Sequence, residues 1–260
     1  MKTLLKILKE LPWTLWSGWG SLASILLFIA LWDIGHQIYG ELILPSPLET
    51  FQTLFTLLAM PEIQTHLALT LERAAKGLLA ALLLGSLLGF LAGLFRTASV
   101  LSRPIVTILV GIPPIAWIVL AMIWFGLGEG TVLFTVIIAS FPIVFVGALE
   151  GSRTIEGEMQ EMCDAFALSW TQKLNHLYLP HLFSYLFPSY IAALGMSWKI
   201  VVMAELLSSS DGIGVQLAIA RSHLDTPMAL ALVCMMIGTL LFVEYVLLEP
   251  IRREVQSWRN

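Results

Sequence analysis

Residues 150–181 read EGSRTIEGEMQEMCDAFALSWTQKLNHLYLPH, and what surrounds them decides the fold. On their N-terminal side, Gly77–Phe95, Pro104–Gly128 and Gly130–Leu149 contain no Asp, Glu, Lys or Arg. Glu150, Arg153, Glu156, Glu158, Glu161, Asp164 and Lys173 then arrive within one stretch before apolar sequence resumes. The chain has 260 residues, 58% hydrophobic and 12% charged, where a soluble domain carries about 25% charged residues. The composition belongs to lipid. A structured polar insertion in such a chain is presented to something in the aqueous phase.

An apolar helix needs roughly 20 residues, at about 1.5 Å each, to cross about 30 Å of hydrocarbon. Six segments qualify, at 20–39, 67–95, 104–127, 130–149, 182–205 and 227–248. The expected fold is therefore an all-α polytopic membrane protein with six transmembrane helices. Residues 20–260 form one transmembrane domain, and 150–181 are a cytoplasmic segment within it. With the N-terminus inside, the cytoplasmic pieces carry Lys2, Lys6, Lys9, Arg96, Arg103, Arg153, Lys173, Arg252, Arg253 and Arg259, while the opposite loops hold only Arg221. Basic residues mark the cytoplasmic side, so both termini are expected there.

Residues 1–19 start basic and place Leu4, Leu8 and Leu11 on one face, followed by Trp13 and Trp16. This is the pattern of an interfacial amphipathic helix, with a frayed tail as the plain alternative. Asp33 and His36 interrupt the next apolar stretch, and no small-x-small site marks a cleaved signal. Cys163 and Cys234 suggest neither a disulfide nor a metal cluster.

Punctuation along the chain adds detail. Leu44-Pro45-Ser46-Pro47 is a rigid turn. In span two Glu72 and Lys76 are i,i+4 partners, and Gly85, Gly89 and Gly93 form a ridge that allows close helix approach in lipid. Gly111-Ile112-Pro113-Pro114 is expected to kink span three, as Pro142 and Pro188 are to kink spans four and five. In hydrocarbon the carbonyls freed by such kinks must face protein or a watery cavity. Ser208 to Gly214 is a turn-rich break after span five.

Within the polar segment, Phe166, Trp170, Leu174 and Leu177 recur at helical spacing, and Pro180 is expected to stop that helix before span five. The stripe has two places to go: the membrane surface or a groove in another protein. Glu161-Met162-Cys163, then Ala167, Ser169, Gln172 and Leu177-Tyr178-Leu179-Pro180, resembles the signature of ATP-binding-cassette importer permeases. That signature is Glu-Ala-Ala, three residues, Gly, nine residues, Ile-x-Leu-Pro. Glu161, Leu179 and Pro180 match in register, Leu177 replaces Ile, Ala167 replaces Gly, and Met162-Cys163 replace Ala-Ala. Further motifs are similar to the nitrate, sulfonate, taurine and bicarbonate branch of these permeases. They are Leu44-Pro45-Ser46-Pro47, Thr70-Leu71-x-Arg73 with Gly77, Ala116-Trp117 to Trp124-Phe125-Gly126, and Ser197-Trp198 to Ala204-Glu205 with Gly212-Ile213-Gly214. The resemblance runs from about residue 40 to the end.

It implies a type I importer permease in which the polar segment is a coupling helix, seated in a groove of a cytoplasmic ATPase subunit. Glu161, Asp164, Ala167, Leu168, Ser169, Trp170, Gln172, Leu174, Leu177, Leu179 and Pro180 would form that joint. Trp170 and Leu174 would be its buried anchors, and Glu161 would brace the turn. The implied partners are two ATPase subunits carrying ATP and Mg, a second permease copy, an extracytoplasmic solute-binding protein and the bilayer, with no nucleic acid. The implied place is the bacterial inner membrane, and no cofactor is bound by this chain. A phosphate loop requires Gly-Lys before Ser or Thr, and no Gly-Lys occurs in the chain.

The candidate translocation path comprises Arg73, Pro113, Pro114, Trp117, Ser197, Lys199 and Glu205. Lys199 in span five costs roughly 2.5–3.5 kcal/mol at a bilayer centre. It either attracts an anionic solute, together with Arg73 and Lys76, or forms a structural ion pair with Glu244 or a neighbouring subunit's carboxylate. Glu205 is expected to fix backbone at the Ser-rich turn. The solute remains open between an oxyanion and a neutral heterocyclic vitamin precursor. An intramembrane hydrolase using Ser197 with Lys199 is disfavoured, because residues two apart point to opposite sides of a helix. An independent carrier or channel would need no docking helix.

Overall fold

The computed structural model describes residues 2–155 and 157–248, and every regular element among them is helical. Five helices are long and apolar enough to cross a membrane, and a bent pair makes a sixth crossing if counted as one span. In chain order they are α1 (Lys2–Tyr39), α2 (Pro47–Ala59), α3 (Pro61–Leu94), α4 (Arg96–Gly111), α5 (Pro114–Phe125), α6 (Glu129–Arg153), α7 (Gly157–Ala165), α8 (Trp170–Lys173), α9 (Leu179–Ser208), α10 (Ile213–Ser222) and α11 (Thr226–Phe242). Two π-helical turns, Leu174–Tyr178 and Val243–Leu248, lead into α9 and continue α11.

The centre of the structure is α6, flanked by α3 and α9. The glycine ridge of span two creates the first contact. Gly77 lies against Val136, Gly85 against Val144, Gly89 against Ala148 and Gly93 against Ser152, leaving no room for a Cβ at any of the four. The register offset is constant, so α3 and α6 run parallel. On the opposite face, Gly147 meets Ser189 and Gly151 meets Tyr185, a descending register that makes α6 and α9 antiparallel. Backbone approach of this kind suits a solvent in which dispersion and close packing, rather than expulsion of water, join helices. Val132, Val136, Ile118, Ile200 and Val201 fill the resulting core. The outer faces carry exposed Leu79, Leu83, Leu87, Ile105, Ile108 and Ile123, the surface a helix turns to hydrocarbon.

Four expectations change. Span three is not one helix over 104–127: α4 already begins at Arg96, and α4 and α5 are bent by 93° at the break between them. Ile112 (φ −78°, ψ 122°) and Pro113 (φ −58°, ψ 141°) both precede a proline and are both driven out of the helical region. Pro180 does not stop a helix either. It sits in the first turn of α9, and one run of helix continues from Trp170 to Ser208. The π turn ahead of it, with the Leu179 N–H donating to the Leu174 carbonyl, widens the coil where the proline lacks a donor and its ring needs space. Phe166 does not share a helix with Trp170, Leu174 and Leu177, because the chain turns between α7 and α8. Finally, α1 is unbroken from Lys2, so no separate interfacial element precedes span one; the side chains of Leu4, Leu8, Leu11, Trp13 and Trp16 lie outside the described residues.

Candidate functional site

Besides its packing along α6, α3 makes two further joints, one toward each end. The first gathers motifs that lie more than 130 residues apart. Arg73, buried on α3, donates through one nitrogen to Glu205 Oε1 at 2.9 Å, to the Asp211 carbonyl at 2.9 Å and to Ser209 Oγ at 3.3 Å. Its other nitrogen donates to the Asp211 carboxylate. Glu205, fully buried on α9, accepts at Oε2 from Thr70 Oγ1 at 2.8 Å and from the Gly214 N–H at 3.1 Å. Thr70 Oγ1 also accepts the Ile213 N–H at 2.9 Å, and His66 Nδ1 accepts the Gly212 N–H at 3.0 Å. Gly212 adopts φ +106°, and a Cβ there or on Gly214 would collide with Glu205. The loop is thus built around a carboxylate. Charge-assisted bonds of this kind are the strong ones. The Arg73 guanidinium, donating to it, holds the Asp211 carboxyl below its ordinary value of 3.8.

The arrangement corrects one sequence expectation and specifies another. Arg73 is not offered to a passing anion: it is buried and neutralised by two carboxylates. Lys76 is engaged too, with Glu72 at 2.8 Å and Glu129 at 3.3 Å. Glu205 fixes the backbone of the turn from Gly212 to Gly214 and faces no open space. His66 and Asp211 escaped the sequence reading. His66 lies four residues before Thr70, on the same helical face, which is the one signal that could have found it.

The second joint is the polar segment. Ile155, Cys163, Leu177 and Tyr178 form a buried apolar cluster with Leu168, Leu174 and, from the end of α3, Phe90 and Leu94. Ala167 turns the chain between α7 and α8 with φ +49°, the conformation that glycine, the signature's residue here, takes most readily. Ser169 caps α8 reciprocally: its N–H donates to Gln172 Oε1 at 2.8 Å, and the Gln172 N–H donates back to Ser169 Oγ at 3.4 Å. That capping box satisfies two orphan donors and fixes the direction in which Trp170 projects. The Trp170 ring is 56% exposed and lies 5.5 Å from Tyr178, whose ring meets Phe90 edge-on at 5.8 Å. Three aromatic rings therefore run from the exposed face of the segment to the C-terminal end of α3.

Here too the structure revises the expected roles. Leu174 and Leu177 pack into the chain's own cluster, so they are not outward anchors. Met159, Met162, Phe166, Trp170 and Leu179 are the exposed apolar groups of the segment. The Glu161 side chain is exposed, and its carboxylate makes no hydrogen bond to another side chain or to the turn among the described residues. Pro180 is exposed beside Leu179. The side chain of Asp164 lies outside the described residues.

The remaining path candidates scatter. Pro113 is exposed and Pro114 half-buried at the bend. Trp117 is buried against Phe134, 6.4 Å between rings, with its indole N–H unpartnered. Ser197 is buried and donates to the Leu194 carbonyl at 2.8 Å. Lys199 is exposed, and no carboxylate oxygen among the described residues comes within 4.0 Å of its nitrogen. The expected Lys199–Glu244 ion pair is therefore not formed.

Residues 81–250 match the family model described as "Binding-protein-dependent transport system inner membrane component". The taurine transport system permease protein TauC of Escherichia coli (strain K12) is 28% identical over 248 residues, covering 93% of this chain and 89% of that protein. The bicarbonate transport system permease protein CmpB of Synechococcus elongatus is 30% identical over 207 residues, covering 74% and 73%. Among solved structures, an inward-facing MetNI methionine ABC transporter is similar with a TM-score of 0.54 and 20% identity, over 72% of this chain and 91% of that one.

Proposed function

We propose, starting from the fact that the chain belongs to the family of binding-protein-dependent transport system inner membrane components, that it imports a small oxyanion across the bacterial inner membrane. It is the multi-pass membrane subunit of an ATP-binding-cassette importer, and a partner subunit carries the ATPase. The further reading is a complex of two identical permease copies, two ATPase subunits on the cytoplasmic face and a soluble receptor outside, with no cofactor on this chain. Both termini then lie inside, on the side where Lys and Arg concentrate.

The observation that carries this reading is the capped α8 with Trp170 half-exposed at its start. An exposed aromatic side chain on a capped helix, in a segment that also exposes Met159, Met162 and Phe166, has the composition of an interface hot spot. Lipid is the poorer occupant, because Glu161, Gln172 and other polar groups share this surface. The joint then comprises Glu161, Asp164, Ser169, Trp170, Gln172, Leu179 and Pro180 outside, with Ala167, Leu168, Leu174 and Leu177 setting its shape. ATPase closure would reach α3 through Tyr178 and Phe90.

The oxyanion rests on Lys199 and on the relatives named for taurine and bicarbonate transport. The test is uptake of radiolabelled taurine or bicarbonate into proteoliposomes holding the chain, its ATPase and its receptor. ATP-dependent accumulation of either is the expected result. Accumulation without ATP, or equal accumulation when the ATPase is left out, would contradict the reading.

A further inference from the structure

A cavity of about 400 Å³ opens between α9 and α11, away from both joints. Its walls are apolar, from Ile191, Leu194, Met196 and Leu240, and its two charged groups are Lys199 and Glu244. Their backbone positions lie at different levels. Trp198 Nε1 donates to the Met236 carbonyl at 3.0 Å, which sets those residues level. Leu206 and Ala229 share a second cavity toward the outer ends of the same helices, so α9 and α11 are antiparallel. Glu244, eight residues beyond Met236, is therefore level with the Ile191 end of the cavity, about 12 Å along the axis from the level of Lys199 at 1.5 Å per residue. Gly195 lies between them, with nothing within 4 Å of where its Cβ would be.

We propose that this cavity is a subsite for a zwitterionic organic solute, with its oxyanion on Lys199 and its cationic nitrogen on Glu244. The inference rests on the importer reading and narrows its solute class. Among the described residues neither group lies within ion-pair distance of an opposite charge. Lys199, well inside α9, costs roughly 2.5–3.5 kcal/mol if it faces hydrocarbon at the bilayer centre, while Glu244 lies at the end of the last apolar span, Thr226–Tyr245. A ligand that bridges the two offsets that cost. A simple oxyanion fits poorly: bound at Lys199, it meets the repulsion of Glu244 across an apolar space where charges are weakly screened. A molecule with opposite charges at its ends removes that repulsion and satisfies both groups. The volume lies within the usual range for small-molecule sites, and so does the pattern of apolar walls with a few convergent polar groups.

The test compares taurine with ethanesulfonate, which has the same skeleton without the amine, as radiolabelled ligands of the permease–ATPase complex in nanodiscs without receptor. Taurine should bind at least about tenfold tighter to the native complex, a difference of about 1.4 kcal/mol. Glu244→Gln should bring taurine down to the ethanesulfonate level while leaving ethanesulfonate no weaker, and Lys199→Met should abolish both. Equal binding of the two ligands, lost in Lys199→Met but unmoved by Glu244→Gln, overturns the zwitterion subsite and leaves an oxyanion importer. No binding of either ligand overturns the subsite, and the importer reading is judged separately by receptor- and ATP-dependent uptake. Thermal unfolding is followed alongside. If each single variant melts early and Lys199→Met/Glu244→Met together restores the native midpoint, the two groups are a structural pair and the subsite is refuted.

Discussion

The two ends of α3 are fastened by opposite chemistries. At the outer end, Arg73, Thr70 and His66 grip Glu205, Asp211 and two backbone N–H groups of one loop. At the inner end, Phe90 and Leu94 lean on Leu177 and Tyr178 with no hydrogen bond between them in the contact. A buried ionic network is directional: its members have one geometry, and losing one strands the others. An apolar cluster tolerates sliding, since dispersion and burial depend little on direction. The first joint is suited to stay and the second to give, which fits the coupling to a cytoplasmic ATPase proposed above.

Substitutions can break this contrast. The largest effect is expected from Arg73→Met, which leaves Glu205 buried without its counter-charge and should cost about 3–5 kcal/mol. The thermal midpoint of purified protein should fall steeply, and Arg73→Met/Glu205→Leu should recover much of the loss. An unchanged midpoint in the single variant would show that the network fastens nothing. Tyr178→Leu keeps apolar bulk at the inner joint but removes both ring contacts, and aromatic pairs of this kind contribute about 0.5–1.5 kcal/mol each. Its midpoint should drop far less than that of Arg73→Met; an equal drop would erase the distinction between the joints.

Ala167→Gly acts in the other direction. A left-handed conformation costs an L-residue roughly 1–2 kcal/mol, and the extra freedom of Gly in the unfolded chain takes back part of that. A gain of up to about 1 kcal/mol is expected by the same assay, and a loss would mean the turn is not strained. The smallest effect is on acid stability. Because Arg73 lowers the folded-state value of Asp211, the contribution of that carboxylate is fully present above its ordinary value of 3.8 and disappears as pH falls through the lower folded value. Native and Asp211→Asn melting curves should therefore keep a constant gap at neutral pH and converge only in strong acid. Convergence already near neutrality would contradict the assignment.

Much of this was legible in advance, for stated reasons. Charge-free runs and the glycine ridge report directly on lipid and helix approach, so the span count and a close helix contact of span two followed from sequence, while the identity of its partner α6 did not. The Ser169–Gln172 box is local too, yet it was not part of the sequence reading. Arg73 was misassigned because its partners lie 132 to 138 residues away, and nothing in the local pattern distinguishes a paired arginine from one awaiting an anion. The helical stripe from Phe166 to Leu177 broke because periodicity does not see a single left-handed residue, here Ala167. Pro180 misled because a π turn absorbs the proline that in an ordinary coil would end the helix.

The central claim is that Trp170 is the point at which a cytoplasmic ATPase takes hold. A photo-reactive amino acid placed at position 170 of the full chain, in membranes containing the ATPase subunit, tests it directly. Cross-linking to the ATPase, suppressed when the subunit is absent and altered by ATP, is the predicted result. Cross-linking to phospholipid alone, with the ATPase present and active, would contradict it.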